Sequence, residues 1–264
     1  MKPVSPIRVS PAIALKGLTV RIARYVPGWS QAAHEHEFAS VGFVYRGSLA
    51  ERVAGMEETG GPLSMIVKPP GVRHSDQYGP DGAWILQILL SREWLEAGDS
   101  DWRLGSWRWI RYGDGVRHGL ALLAALRGDA DRSEVESLVL EVLAGIPPAS
   151  DGEPARIAPR WLRAARDRLA EEFADGVSVS GIARDAGVHP VSLARAFRRT
   201  YGTSITALRH RLCVSLAAAQ LGGNLTPLSS VAQLSGFSDQ AHMCRIFKKT
   251  TGLTPLSYRK LTES

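Results

Sequence analysis

The sequence predicts an α+β chain in two domains: a small N-terminal β-barrel carrying a helical hairpin, and an all-α C-terminal domain built on a tandem helix-turn-helix. Three observations predict it. Short alternating strands between turn residues fill the N-terminal part, a proline-rich stretch interrupts the chain past its middle, and a helical block after that stretch is written twice.

The barrel is read from period-two patterning. Ile13 to Tyr25 and Phe38 to Val53 alternate apolar and polar residues, while Ser64 to Val67 and Trp84 to Leu90 are more continuous. Gly28, Gly47, Gly60-Gly61, Pro69-Pro70-Gly71 and Gly79-Pro80-Asp81-Gly82 punctuate them. His34 and His36 stand at i, i+2, so on a strand both rings leave one face, and His74 follows a turn that brings it to a neighbouring strand.

After Leu90 the period becomes helical. Val116, Leu120, Leu123 and Leu126 mark one helix, and Val135, Leu138, Val139, Val142 and Leu143 a second, with Ser133 and Glu136 as its capping box. Such an apolar hairpin must be covered, by the barrel itself or by a second copy. The boundaries expected are a β domain at 1–112, the hairpin at 113–146, a linker at 147–159 and the helical domain at 160–264.

Within the last domain, Ile182-Ala183-Arg184-Asp185-Ala186-Gly187 aligns with Val231-Ala232-Gln233-Leu234-Ser235-Gly236, and Arg195-Ala196-Phe197-Arg198-Arg199 with Arg245-Ile246-Phe247-Lys248-Lys249. The turn glycines lie 49 apart (236 − 187) and the terminal glycines, Gly202 and Gly252, 50 apart (252 − 202), so one residue is inserted after the second turn. The units are expected at 178–202 and 227–252, with Ser238 as a helix cap. Leu193, Phe197, Met243 and Phe247 point inward. That leaves His189, Val191, Ser192 and Arg195 on one helix, and Ser238, Gln240, Ala241 and Arg245 on the other, facing a major groove. Arg198, Arg199, Lys248 and Lys249 stand near phosphates. The alternative for Arg195 and Arg245 is bracing the helix through a carboxylate.

Charge agrees with this division. Residues 151–264 hold 16 Lys and Arg against 9 Asp and Glu, a net +7, and the remaining 16 against 17 leave residues 1–150 at −1. The basic excess sits on the duplicated half, as polyanion binding requires. Two cysteines, Cys213 and Cys244, exclude a disulfide framework. With no signal peptide or apolar run of membrane length, a cytoplasmic protein away from membranes is expected.

The second unit, with Gly236-Phe237-Ser238-Asp239-Gln240, Arg245 to Lys249, Gly252-Leu253-Thr254-Pro255 and Tyr258-Arg259, resembles the AraC/XylS family of transcription regulators over about the last hundred residues. Gly28-x5-His34-x-His36 with Gly47, and Pro69-x-Gly71-x2-His74, resemble the two cupin motifs, except that Ser40 fills the carboxylate slot and Tyr78 the late Asn slot. The barrel is thus expected to be cupin-like. A divalent metal on His34, His36 and His74, an organic effector pocket also lined by Tyr45, Trp84 and Gln87, and a purely structural role all stay open.

The resemblance implies an effector-responsive regulator, an activator in the family's habit, binding double-stranded promoter DNA as a homodimer and contacting RNA polymerase, and not an enzyme. Two alternatives stand beside it: a metal-dependent cupin enzyme with an accessory DNA-binding domain, and a constitutive regulator with an effector-free barrel.

Overall fold

The computed structural model describes residues 5–97, 104–111, 115–148, 158–223 and 225–263. The chain divides into two compact units, residues 1–149 with 260–264, and residues 150–259. The expected linker at 147–159 and the expected boundary at 112/113 fall largely outside the described residues.

The first unit holds β1 (Ile7–Val9), β2 (Ile13–Ala14), β3 (Leu18–Tyr25), β4 (Ser30–His34), β5 (Ala39–Val53), β6 (Met56–Gly60), β7 (Ser64–Lys68), β8 (His74–Leu90), α1 (Arg92–Glu96), β9 (Arg108–Ile110), α2 (Gly115–Arg127) and α3 (Arg132–Ala144). The sheet runs β1-β3-β8-β5-β7-β9, with β2 on β3, β4 on β8 and β6 on β5. Its end strands β1 and β9 do not pair, so the predicted closed barrel is instead an open sheet.

Two long strands take the place of closure. β5 and β8 lie antiparallel along their whole length, and their register shifts between Val44 and Arg46 and between Gly47 and Leu49. One half of the pair carries β3 and β7, the other β4 and β6. The bend needs glycine at both strands: Gly47 and Gly82 have φ of 72° and 76°, and a Cβ on Gly47 would lie 2.0 Å from the Gly82 oxygen.

Period-two alternation separates the two faces of the sheet. Ala23, Tyr25, Ile85, Ile66 and Tyr78 cluster on one side. On the other, Phe43 packs so closely under α2 that a Cβ at Gly119 would approach its ring to 3.0 Å. Val116, Leu120, Leu122 and Leu123 of α2 and Val135, Val139, Val142 and Leu143 of α3 are buried. The α3 cap is Asp131, whose carboxylate accepts from the Glu134 amide at 2.9 Å, rather than the predicted Ser133. An extended Asp131 backbone starts the helix two residues earlier than the Ser133-Glu136 spacing implied.

The remaining elements among the described residues are all helices: α4 (Arg160–Glu172), α5 (Val179–Asp185), α6 (Pro190–Tyr201), α7 (Ile205–Leu221), α8 (Leu228–Leu234), α9 (Gln240–Thr251) and α10 (Pro255–Glu263). Leu162, Ala165 and Leu169 form the buried stripe of α4. The buried face of α7 carries Leu208, Cys213, Val214, Ala217 and Leu221. Among the described residues no helix is long and apolar enough to cross a membrane.

Candidate functional site

The duplication seen in the sequence holds down to single hydrogen bonds. Val188 N donates to Ala183 O at 3.0 Å, and Phe237 N to Ala232 O at 3.0 Å. Gly202 N donates to Arg198 O at 2.9 Å, and Gly252 N to Lys248 O at 2.9 Å, with both glycines in the left-handed region. Each pair of glycine turns and stops therefore fixes a second helix, α6 or α9, against a first.

Between turn and second helix lies the extra residue, which the structure identifies as Ser238. His189 caps α6, its Nδ1 accepting from the Val191 amide at 3.3 Å, and Asp239 caps α9, its Oδ1 accepting from the His242 amide at 2.7 Å. The predicted cap Ser238 instead bonds the Asp239 carboxylate at 3.0 Å and His242 Nδ1 at 3.1 Å. A carboxylate accepts an amide more strongly than a hydroxyl does, and these bonds hold the Asp239 carboxyl below its usual range.

Leu193, Phe197, Met243 and Phe247 are fully buried. His189, Val191, Ser192, Arg195, Arg198 and Arg199 of the first copy are exposed, as are Ser238, Gln240, Ala241, Arg245, Lys248 and Lys249 of the second. No carboxylate among the described residues lies within ion-pair distance of Arg195 or Arg245, which disfavours the bracing alternative. Lys248 and Lys249, like Arg198 and Arg199, occupy the last turn, where cations complement the helix dipole.

The first unit contains a cavity of about 140 Å³. His34, His36 and Gln87 line it, together with Ser40 and Tyr78, the two residues standing in the slots of the resembled motif. His74 is buried at its edge, its ring centroid 4.3 Å from that of His34 and 5.4 Å from that of His36; His34 and His36 are 4.9 Å apart. Tyr45 and Trp84 do not line it. Both belong to the opposite face of the sheet, where Tyr45 contacts Arg127 and Trp84 lies under Arg46, as period-two alternation from the cavity-lining Gly42 and Gln87 requires.

Sequence reasoning missed several of the groups that give the cavity its chemistry. A hydrogen-bonded chain crosses it: Arg21 Nε donates to Gln87 Oε1 at 2.8 Å and Gln87 Nε2 to the Tyr25 hydroxyl at 3.0 Å. Tyr25 stacks on Tyr78 at 4.1 Å, and the Tyr78 hydroxyl donates to Asp76 Oδ2 at 3.3 Å. Beyond Asp76 lies Lys68, paired with the fully buried Glu51, whose other oxygen accepts from Trp107 Nε1 at 2.6 Å. The carboxylates absent from the expected slot therefore come from β5 and β8. Asp76 was accessible to the period-two rule, standing two residues after His74; Glu51 had no such signal.

Burial pushes the His36 imidazole below its ordinary range and that of His74 down to about 4, with Lys68 acting in the same direction on both. Both rings are thus neutral near pH 7. The 3.6 Å approach of His74 Nε2 to Glu51 is consequently not an ion pair there, and that nitrogen is buried without a hydrogen-bond partner. One nitrogen of each of His34, His36 and His74 lies within 4.8 Å of the others. Three converging imidazoles, one with an orphaned buried nitrogen, fit a divalent transition metal.

Residues 182–261 match the family described as "Helix-turn-helix domain". Over 93 residues the chain is 31% identical to the arabinose operon regulatory protein of Salmonella typhimurium, covering 35% of this chain and 32% of the relative. It is 33% identical over 105 residues to the HTH-type transcriptional regulator RipA of Corynebacterium glutamicum, covering 40% of this chain and 31% of that one. The C-terminal domain of AraT from Geobacillus stearothermophilus is similar at 25% identity and a TM-score of 0.39, covering 40% of this chain and 89% of that domain. The chain spans about a third of the length of the curated relatives it matches.

Proposed function

We propose that this chain, whose residues 182–261 match a helix-turn-helix family and resemble the arabinose operon regulatory protein, is a transcription regulator of the AraC type that reads two successive major-groove segments of promoter DNA through α6 and α9. The observation that carries the reading is the equivalence of the two helices. Each buries one apolar pair, stands behind the same turn hydrogen bonds and exposes an arginine at the corresponding position, Arg195 or Arg245. In this role Arg245 and Arg195 suit guanine O6 and N7, Gln240 suits adenine, and Val191 and Ala241 suit a thymine methyl. Arg198, Arg199, Lys248 and Lys249 supply phosphate contacts. The helices would enter grooves roughly 34 Å apart along the duplex.

In this reading the cavity of the first unit is a sensor site rather than a site of turnover, and its effector biases DNA binding. Polar groups at both ends with an aromatic stack between them suit a small polar molecule of modest size. His34, His36 and His74 would hold a divalent metal if one is bound. It would act as a Lewis acid toward an oxygen or nitrogen donor of the effector, with Asp76 and Glu51 as nearby orienting carboxylates. Homodimerisation through the α2–α3 hairpin is supported by Leu140, which is 48% exposed on α3. Contact with RNA polymerase and activation of transcription complete the proposal.

The deciding experiment is a selection of bound duplexes from randomised DNA with the full chain. A two-part motif with its halves one helical turn apart is expected, and the absence of any enriched motif would sink the reading.

A further inference from the structure

The outer face of the sheet in the first unit carries a row of cations with no role in DNA reading or in the cavity. The register sets Arg8 opposite Arg24, Arg24 opposite Trp84, and Trp84 opposite Arg46. Directly opposed residues share a face, so β1, β3, β8 and β5 together present the sequence Arg, Arg, Trp, Arg across four neighbouring strands. The Arg46 guanidinium lies 4.2 Å over the Trp84 ring. Arg127, from the last turn of α2, reaches the same region and bonds the Tyr45 hydroxyl at 3.2 Å.

Like charges placed directly opposite one another destabilise a sheet. Among the described residues no carboxylate lies within ion-pair distance of Arg8, Arg24 or Arg46, so no ion pair among them offsets the repulsion. The concentration is the more pointed because residues 1–150 hold 16 basic against 17 acidic side chains, a net charge of −1. Beside the row lies a groove of about 350 Å³ lined by Arg8, Ser10, Arg24 and Arg127 around Val9 and Ile22. That is within the size of small-ligand sites, about 300 to 1,000 Å³.

We infer that this groove is a second ligand site, separate from the interior cavity, which takes a phosphorylated small molecule. Its phosphate groups would lie between the guanidiniums of Arg8, Arg24 and Arg127, and its organic body on Val9 and Ile22 toward Trp84. Guanidinium suits phosphate because its planar fork donates two parallel hydrogen bonds to two oxygens. The aliphatic floor of Val9 and Ile22, with Trp84 beyond Arg24 on the next strand, suits a phosphate that carries an organic body better than a bare second phosphate. Occupancy would relieve the repulsion along the row, so the ligand would also stabilise the sheet.

The test is isothermal titration of the full chain in phosphate-free buffer with pyrophosphate, ADP and adenosine. Pyrophosphate and ADP are expected to bind once per chain, ADP the more tightly, and adenosine not at all. Arg24→Gln and Arg8→Gln should each weaken both by about tenfold while melting no lower than the parent. Arg163→Gln, which removes an exposed charge from α4, should bind as the parent does. No binding of either phosphate compound, or equal weakening by Arg163→Gln, would overturn the inference. So would tighter binding of a single-stranded oligonucleotide than of ADP, since the row would then serve a polymer.

Discussion

Arg209 donates from Nη2 to the carbonyl of Gly236 at 2.8 Å and from Nε to that of Phe173 at 3.0 Å. One side chain of α7 therefore ties the end of α4, which covers the first helix-turn-helix, to the turn of the second. Gly236 is held on its other side as well, since a Cβ there would lie 2.6 Å from Ala174 Cα. Arg209→Leu is expected to destabilise the domain by about 1.5 to 3 kcal/mol, the range for hydrogen bonds from a charged donor. Urea denaturation of the full chain measures it; an unchanged midpoint would show the two bonds to be idle.

The exposed arginines of the two second helices make a sharper prediction. Arg245→Ala should lower discrimination for the selected operator by about 1 to 3 kcal/mol and leave thermal stability unaltered, because the side chain is exposed and touches no carboxylate. Lys248→Gln should weaken all duplexes alike and reduce the slope of log affinity against log salt by about 1. Affinity titrations across salt concentrations separate the two effects.

Capping of α9 by Asp239 gives a pH dependence with a definite sign. The folded carboxyl is held down first by the His242 amide, then by the Ser238 hydroxyl. A depressed carboxyl contributes stability that is present above the unfolded value of about 3.9 and is lost as pH falls through the folded value. Asp239→Asn retains a capping oxygen without titrating. The variant should therefore lose the part of the acid-induced drop in melting temperature that Asp239 supplies, and identical profiles for the two proteins would contradict the assignment.

For the histidine cluster the expected outcome is stoichiometric. Purified chain given zinc should retain about one ion after dialysis, and the His34→Ala, His36→Ala double variant none. If zinc is bound, free metal at a hundredfold excess over its dissociation constant should stabilise the parent by about 2.7 kcal/mol and the variant not at all. Equal metal retention by both proteins would leave the three rings a structural or effector-contacting role.

The helical half was legible because its signals are local. Glycine turns, the apolar pairs Leu193/Phe197 and Met243/Phe247, and the 49-to-50 offset of the repeat are all read within a few residues of one another. The sheet was less so. Strands β4, β6 and β9 are short and carry little apolar alternation, and the half of β8 from His74 to Ala83 crosses Gly79-Pro80, which reads as a turn. Trp84 and Tyr45 lie three residues from the cavity-lining Gln87 and Gly42 and so face away from it, but which of the two faces lines a cavity is decided by how the strands pair and not by any one of them. Glu51 joined the site for a similar reason: its closeness to His74 arises from the antiparallel register of two strands far apart in sequence.

That alternation along β3 and β8 has an evolutionary corollary. Arg21 and Arg24, or Trp84 and Gln87, sit only a few residues apart yet belong to surfaces on opposite sides of one backbone. Losing or gaining a single residue in either strand would turn the strand over, carrying guanidiniums inward and stripping the interior of its hydrogen-bonded groups. Descendants of this protein can alter what either surface recognises by exchanging side chains, whereas changes of strand length are closed to them.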